Sequence, residues 1–239
     1  MLTLPILMYH KVEPLPAVPG YLANYVFPDQ FEEQIAALDS WGFTTITLAE
    51  WAEIRAGRRK SPGRPIALTF DDGYKSVYEN AWPLLRARKM NATVFLVTDF
   101  IGQMNFWDRD QPQQLLLNRD EIAEMSASGI SFGSHTCTHR PLTGLSEAEV
   151  LDELARSREA LESLLGQPVT TLAYPYNKQN GMVRAAAKRA GYRAATLGRG
   201  RLNARWTNPY ALMRIAVTSE STLEGLHLRM ESSNWMTGW

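Results

Sequence analysis

Two short stretches place ionisable side chains where they could run metal-assisted hydrolysis. "ALTFDDGYKS", residues 67–76, ends an apolar run on two adjacent carboxylates, Asp71 and Asp72, followed at once by Gly73. Like charges side by side repel and would push one pKa up, unless a cation offsets the repulsion. Beside a divalent cation, one carboxylate can be a ligand and the other a base for a nearby water. The structural alternative is a helix cap plus a solvated residue, since Asp is common at helix N-termini. "ISFGSHTCTH", residues 130–139, carries His135 and His139, two of the four histidines in the chain. Their spacing suits two imidazole ligands on one turn or tight loop, and Pro141 favours the loop. Here the alternative is a pair of hydrogen-bonded structural histidines. One Asp and two His leave room for water and substrate, as a hydrolytic metal needs. Zn²⁺ is the default for imidazole-plus-carboxylate ligation, although Co²⁺, Ni²⁺ and Fe²⁺ accept similar sets.

Two further features are weak alone. His10 directly follows the apolar run Pro5–Tyr9, and "LAYPYN", residues 172–177, sets Tyr174 and Tyr176 on either side of Pro175.

The elements that would position these residues alternate regularly. Strands are predicted at Pro5–Tyr9, Phe43–Leu48, Pro65–Phe70, Ala92–Val97, Ile130–Gly133, Thr170–Tyr174, Tyr192–Leu197 and Leu212–Thr218. Helices are predicted at Asp29–Trp41, Leu48–Arg55, Ser76–Lys89, Asn118–Ser128, Ser146–Leu165, Gly181–Ala190 and Ser221–Met230. Ser146 opens its helix with a capping box, and Gly166 ends it. This alternation implies a parallel (β/α) barrel forming one domain over residues 1–239, with a doubly wound sheet as the other option. In a barrel all strand C-termini open on one face. His10, the two aspartates, the histidine pair and the tyrosines each follow a predicted strand, so they would share that face. Surface loops are expected at Glu13–Gly20 and Arg58–Arg64. Thr98–Leu117 is a long loop containing Phe106 and Trp107, and long loops are often functional.

Composition narrows the class. Lys+Arg and Asp+Glu are balanced at 25 each, so nothing points to nucleic acid or an anionic membrane as a partner. Cys137 is the one cysteine, which rules out an intrachain disulfide. No run reaches the ~18 apolar residues of a membrane span. The N-terminus reads as a strand and not as a leader, which makes a cytoplasmic location the expectation. Oligomeric state is not legible.

"TFDDG" at 69–73 and "SHTCTH" at 134–139 resemble the first two motifs of the NodB-like polysaccharide deacetylases, carbohydrate esterase family 4. "PILMYHKV" and "FDDGYKSVY" are similar to the branch of poly-β-1,6-N-acetylglucosamine de-N-acetylases, and the resemblance runs from the first strand to about Val217. It implies that Asp71 is the general base and that Asp72, His135 and His139 bind the metal. It also implies that the Tyr176 N–H stabilises the oxyanion. The third motif departs from the family. Its usual Arg, which orients the base, is missing from Ala173-Tyr174-Pro175-Tyr176. Arg214, on the last predicted strand, is the candidate substitute. The last family motif, a strand ending in His, is absent from the C-terminal region, but "ILMYH" at 6–10 has its form. Barrel closure would bring that strand to the same place, as in the de-N-acetylase branch, with His10 as general acid. Tyr174, Phe106 and Trp107 are candidate sugar contacts, with core packing as the alternative for the last two. The implied reaction is removal of N-acetyl groups from an N-acetylhexosamine glycan. Hydrolysis of small non-sugar amides and catalytically decayed glycan binding are the competing readings.

Overall fold

The computed structural model describes residues 3–14, 24–109, 112–198 and 200–231. The strands of the main sheet are β1 (Ile6–Tyr9), β2 (Thr44–Thr45), β3 (Pro65–Phe70), β4 (Thr93–Leu96), β5 (Ser131–Ser134), β6 (Thr171–Ala173), β7 (Ala194–Gly198) and β8 (Leu212–Ala216). The helices are α1 (Pro28–Ser40), α2 (Leu48–Arg55), α3 (Trp82–Ala87), α4 (Arg119–Ala127), α5 (Glu147–Leu165), α6 (Gly181–Arg189) and α7 (Leu223–Glu231). Every pairing among these strands is parallel. β1 lies between β8 and β3, with Leu7 opposite both Ile215 and Leu68, and this closes seven strands into a barrel.

β2 stays outside the closed ring and pairs only with the first two residues of β3. The strand expected over Phe43–Leu48 is cut short because Thr47 caps α2. Its Oγ1 accepts from Glu50 N at 3.1 Å, and Glu50 Oε2 accepts from Thr47 N at 2.8 Å. The helix expected over Ser76–Lys89 is also divided. A π-turn, Val77–Ala81, precedes α3, whose second residue is Pro83. Proline has no N–H, and its ring crowds the carbonyl four residues earlier, so the preceding turn widens. The capping box expected at Ser146 is present, and Gly166 ends α5 at φ 65°. The loop expected at Glu13–Gly20 lies largely outside the described residues.

The period of two along each strand divides the core. The outward positions Leu7, Ile66, Leu68, Phe70, Val94, Phe132, Leu172 and Ile215 pack under the helices in the larger apolar cluster. The inward positions Ile6, Ala67, Phe95, Ala173, Ala194 and Leu212 form a second cluster with Leu48, Trp51 and Ile54. Helix α2 therefore plugs the N-terminal mouth of the barrel. Gly133 is required in this interior, because a Cβ there would stand 2.6 Å from both the Phe95 ring and Thr171 Oγ1. Among the described residues no helix is long and apolar enough to cross a membrane.

Candidate active site

The same period carries the chemistry to the C-terminal mouth. Inward positions along β1 are Ile6 and Met8, and the next is His10. Along β3 they are Ala67 and Thr69, followed by Asp71. Gly133 on β5 leads to His135, and Leu212 on β8 leads to Arg214. The sheet ladder continues past two of these ends: Asp71 N donates to Tyr9 O at 3.0 Å and His135 N to Leu96 O at 2.8 Å. The carboxylate and the imidazole thus stand on backbone tied into the sheet.

Asp72 would face away if the strand continued. Its φ of 70° turns the chain back, and both carboxylates line one cavity. Gly73 follows at φ 76°, where a Cβ would meet Leu96 Cδ2 at 2.5 Å. Thr136, His139 and Tyr176 also have positive φ, at 70°, 60° and 54°. Left-handed backbone at non-glycine residues costs energy and clusters at sites that need special geometry.

The cavity holds about 210 Å³ and is lined by Met8, His10, Asn24, Asp71, Asp72, Trp107, Asp108, His135, His139, Tyr174, Tyr176 and Asn177. Two groupings stand within it. In the first, Arg214 donates from Nη1 to Asp71 Oδ1 and from Nη2 to Asp71 Oδ2, each at 2.6 Å, and Nη1 also reaches Thr69 Oγ1 at 3.2 Å. His10 Nε2 lies 4.0 Å from Asp71 Oδ2. In the second, Asp72 Oδ1 lies 3.3 Å from His135 Nε2 and 3.2 Å from His139 Nε2. His135 Nδ1 bonds the Ala173 carbonyl at 2.8 Å, and His139 Nδ1 meets Tyr176 Oη at 3.2 Å.

Residues 58–195 match the family model for polysaccharide deacetylase. The chain belongs to the polysaccharide deacetylase family. It is 29% identical over 210 residues to the poly-β-1,6-N-acetyl-D-glucosamine N-deacetylase of Staphylococcus aureus, covering 84% of this chain and 70% of that one. Its fold matches the Streptococcus pyogenes deacetylase PplD in complex with acetate, with a TM-score of 0.86 at 24% identity over 97% and 99% of the two chains. It matches IcaB from Ammonifex degensii at 0.80 and 24% identity, over 96% and 97%. The chain is thus a deacetylase-type enzyme on a (β/α) barrel. The matched stretch includes the paired carboxylates, both histidines and both tyrosines. His10 and Arg214 lie outside it, on the two strands that close the barrel.

Charge in this deacetylase follows from burial and pairing. Burial would raise the Asp71 pKa, but the charges of Arg214 and His135 outweigh it and hold the carboxyl below its usual range. Burial would likewise raise Asp72, yet His135 and His139 pull it well down. Burial lowers the His10 pKa, partly offset by Asp72 and Asp71.

The donor set fits a divalent cation. Asp72, His135 and His139 are all buried and offer ligand atoms within 4.8 Å of one another. Asp72 Oδ1 is a buried acceptor without a hydrogen bond among the described residues. A backbone carbonyl at His135 Nδ1 claims the ring proton there, which leaves the Nε2 lone pair free to ligate.

The sequence candidates do not all meet at this cavity. Trp107 lines it and stacks at a tilt on His139, with centroids 4.6 Å apart. Phe106 is not among the lining residues. It is 49% exposed and packs edge-on against Phe100. Phe106 N bonds Met104 O and Asp108 N bonds Asn105 O, a tight turn that sends adjacent side chains to different sides. Tyr174 is buried and donates to Tyr210 O at 3.1 Å, so it presents ring and not hydroxyl.

Other residues escaped the sequence reading. Asp108, Asn24 and Asn177 sit in stretches without periodicity. Glu153 carried a signal, because it interrupts the apolar stripe of α5 formed by Val150, Leu154 and Leu161. Its Oε2 accepts from Cys137 N at 2.9 Å and Thr138 N at 3.0 Å, and its Oε1 accepts from Thr138 Oγ1 at 2.5 Å. This carboxylate holds the loop that joins the two histidines.

Proposed function

We propose that this chain removes N-acetyl groups from a glycan containing N-acetylglucosamine, with the help of a divalent transition metal. The observation that carries the reading is the split of two adjacent carboxylates within one cavity. Asp71 is clamped by an arginine, while Asp72 faces two imidazoles. The likeness to an N-acetylglucosamine polymer deacetylase supports the substrate class.

Asp72, His135 and His139 would hold the cation, with zinc the default for this donor set. When bound, it supplies Lewis-acid stabilisation of the charge that grows on the amide oxygen. Asp71 takes the proton of the attacking water. Arg214 keeps the Asp71 carboxylate ionised and fixes its plane, the task left open by the missing arginine of the third motif. The backbone N–H of Tyr176, on the cavity rim, donates to the same amide oxygen. His10 gives a proton to the departing nitrogen, so that water and acetamide become acetate and a free amine. A carboxylate base and an imidazole acid with separate pKa values suit this division. Trp107, whose buried Nε1–H has no partner among the described residues, and the Tyr174 ring would receive the sugar.

Mass spectrometry of β-1,6- and β-1,4-linked N-acetylglucosamine oligomers after incubation tests the reading. Loss of acetyl mass with equimolar acetate supports it. Binding without acetate release would indicate a decayed lectin-like site. Hydrolysis confined to small non-sugar amides would indicate the wrong substrate class.

A further inference from the structure

At the barrel end opposite the active site, four arginines stand close together, two of them sharing one carboxylate. Arg55, Arg58, Arg193 and Arg205 line a cavity of about 370 Å³ together with Trp51 and Tyr210. Arg55 belongs to the plug helix α2, Arg193 immediately precedes β7, and Arg205 lies on the loop leading to β8. Glu53 is shared between Arg58, at 2.5 and 2.9 Å, and Arg193, at 2.9 Å. Arg55 and Arg205 have no carboxylate partner among the described residues.

Two donors of lining residues are also buried without a hydrogen-bond partner among the described residues. Trp51 is fully buried, and its Nε1–H makes no hydrogen bond. Arg55 Nε donates to Arg205 O at 3.0 Å, which fixes the guanidinium, but Arg55 Nη1 is buried and unpaired. Burying a donor or a charge without a partner is unfavourable, and an oxyanion at the Arg55 guanidinium would relieve it. Arginine's planar fork is the side chain suited to phosphate and carboxylate oxygens. The four lining arginines against the one neighbouring carboxylate of Glu53 leave an excess of three positive charges, which favours a dianion over a single carboxylate. The half-buried Tyr210 ring offers apolar surface to whatever group the anion is attached to.

We propose that this cavity is a second binding site, at the N-terminal mouth of the barrel, for a phosphomonoester. Its ligand is held by Arg55 and Arg205 beside the buried Trp51 indole, away from the deacetylation chemistry. Such a site would retain a phosphorylated sugar or a phosphomonoester lipid while the opposite face works on the glycan.

The test follows the Trp51 indole N–H resonance of the zinc-loaded full chain, assigned by its loss in Trp51→Phe, during titration with phenyl phosphate. A saturable shift is expected, with affinity reduced at least tenfold in Arg55→Gln and in Arg205→Gln while deacetylation of the oligomer is unchanged. Arg205 is exposed on a loop, so its variant remains informative should Arg55→Gln lose stability. Co-pelleting with phosphatidic acid vesicles that depends on Arg205 identifies a lipid source, and its absence with phenyl phosphate binding intact identifies a soluble one. A resonance that does not move, a shift unaltered by both arginine variants, or equal affinity for benzoate would overturn the assignment.

Discussion

Arg214 and Asp71, 143 positions apart in the chain, form a two-pronged ion pair with both N–O distances at 2.6 Å and both side chains buried. The pair spans the barrel interior from β8 to the end of β3. Breaking a buried pair from one side leaves an uncompensated charge, which typically costs about 3–5 kcal/mol. Arg214→Met should therefore lower unfolding free energy by roughly that amount in urea denaturation. Arg214→Lys keeps the charge but loses the fork, and should retain the fold with turnover reduced more than KM is raised. Unchanged turnover in Arg214→Lys would remove arginine from the orienting role.

The two carboxylates should separate experimentally. Elemental analysis is expected to find about one divalent transition metal per chain, lost in the His135→Ala/His139→Ala double variant together with activity. Asp71→Asn should keep the metal and lose about 10²–10⁴-fold in kcat, because the amide cannot take a proton. Full metal occupancy in the double histidine variant would refute the ligand set. Wild-type turnover in Asp71→Asn would refute the base.

His10 should matter in proportion to how poor the leaving group is. His10→Ala is expected to slow deacetylation of an N-acetyl sugar far more than hydrolysis of p-nitrophenyl acetate, whose leaving group needs no proton. Metal content should not change. The control is His227→Ala. That residue stacks on Trp41, with centroids 4.3 Å apart, on the outside of the barrel. Equal slowing of both substrates by His10→Ala would return His10 to a structural role.

Glu153 touches none of the proposed ligands, yet it accepts from two backbone N–H groups between them. Glu153→Ala should weaken metal affinity roughly 10–100-fold, as loss of a supporting group around a metal site typically does. Competition with a chromogenic chelator reads this directly. Glu153→Gln retains one acceptor oxygen and should recover part of the affinity. Equal affinity in wild type and Glu153→Ala would leave the glutamate only a packing role.

The sequence by itself determined the features that are local. Alternating apolar runs announce strands, and Ser146 announces a helix start, because a cap or a period is written within a few residues. Asp71-Asp72 and the His135/His139 pair were legible for the same reason: their chemistry depends on short spacing. The sequence also hinted at closure through His10 and Arg214, on strands that only a barrel makes neighbours. Tertiary structure alone decided the rest. It set the count of seven closed strands, since β2 yields its residues to the cap of α2. It turned Asp72 back beside Asp71 through a positive φ that no residue type dictates. It chose Trp107 over Phe106 through the sense of one tight turn. It gathered the arginines of the far mouth from three separate segments. These outcomes depend on where distant backbone passes, and proximity between remote segments is fixed by the closure of the barrel and not by the spacing of letters.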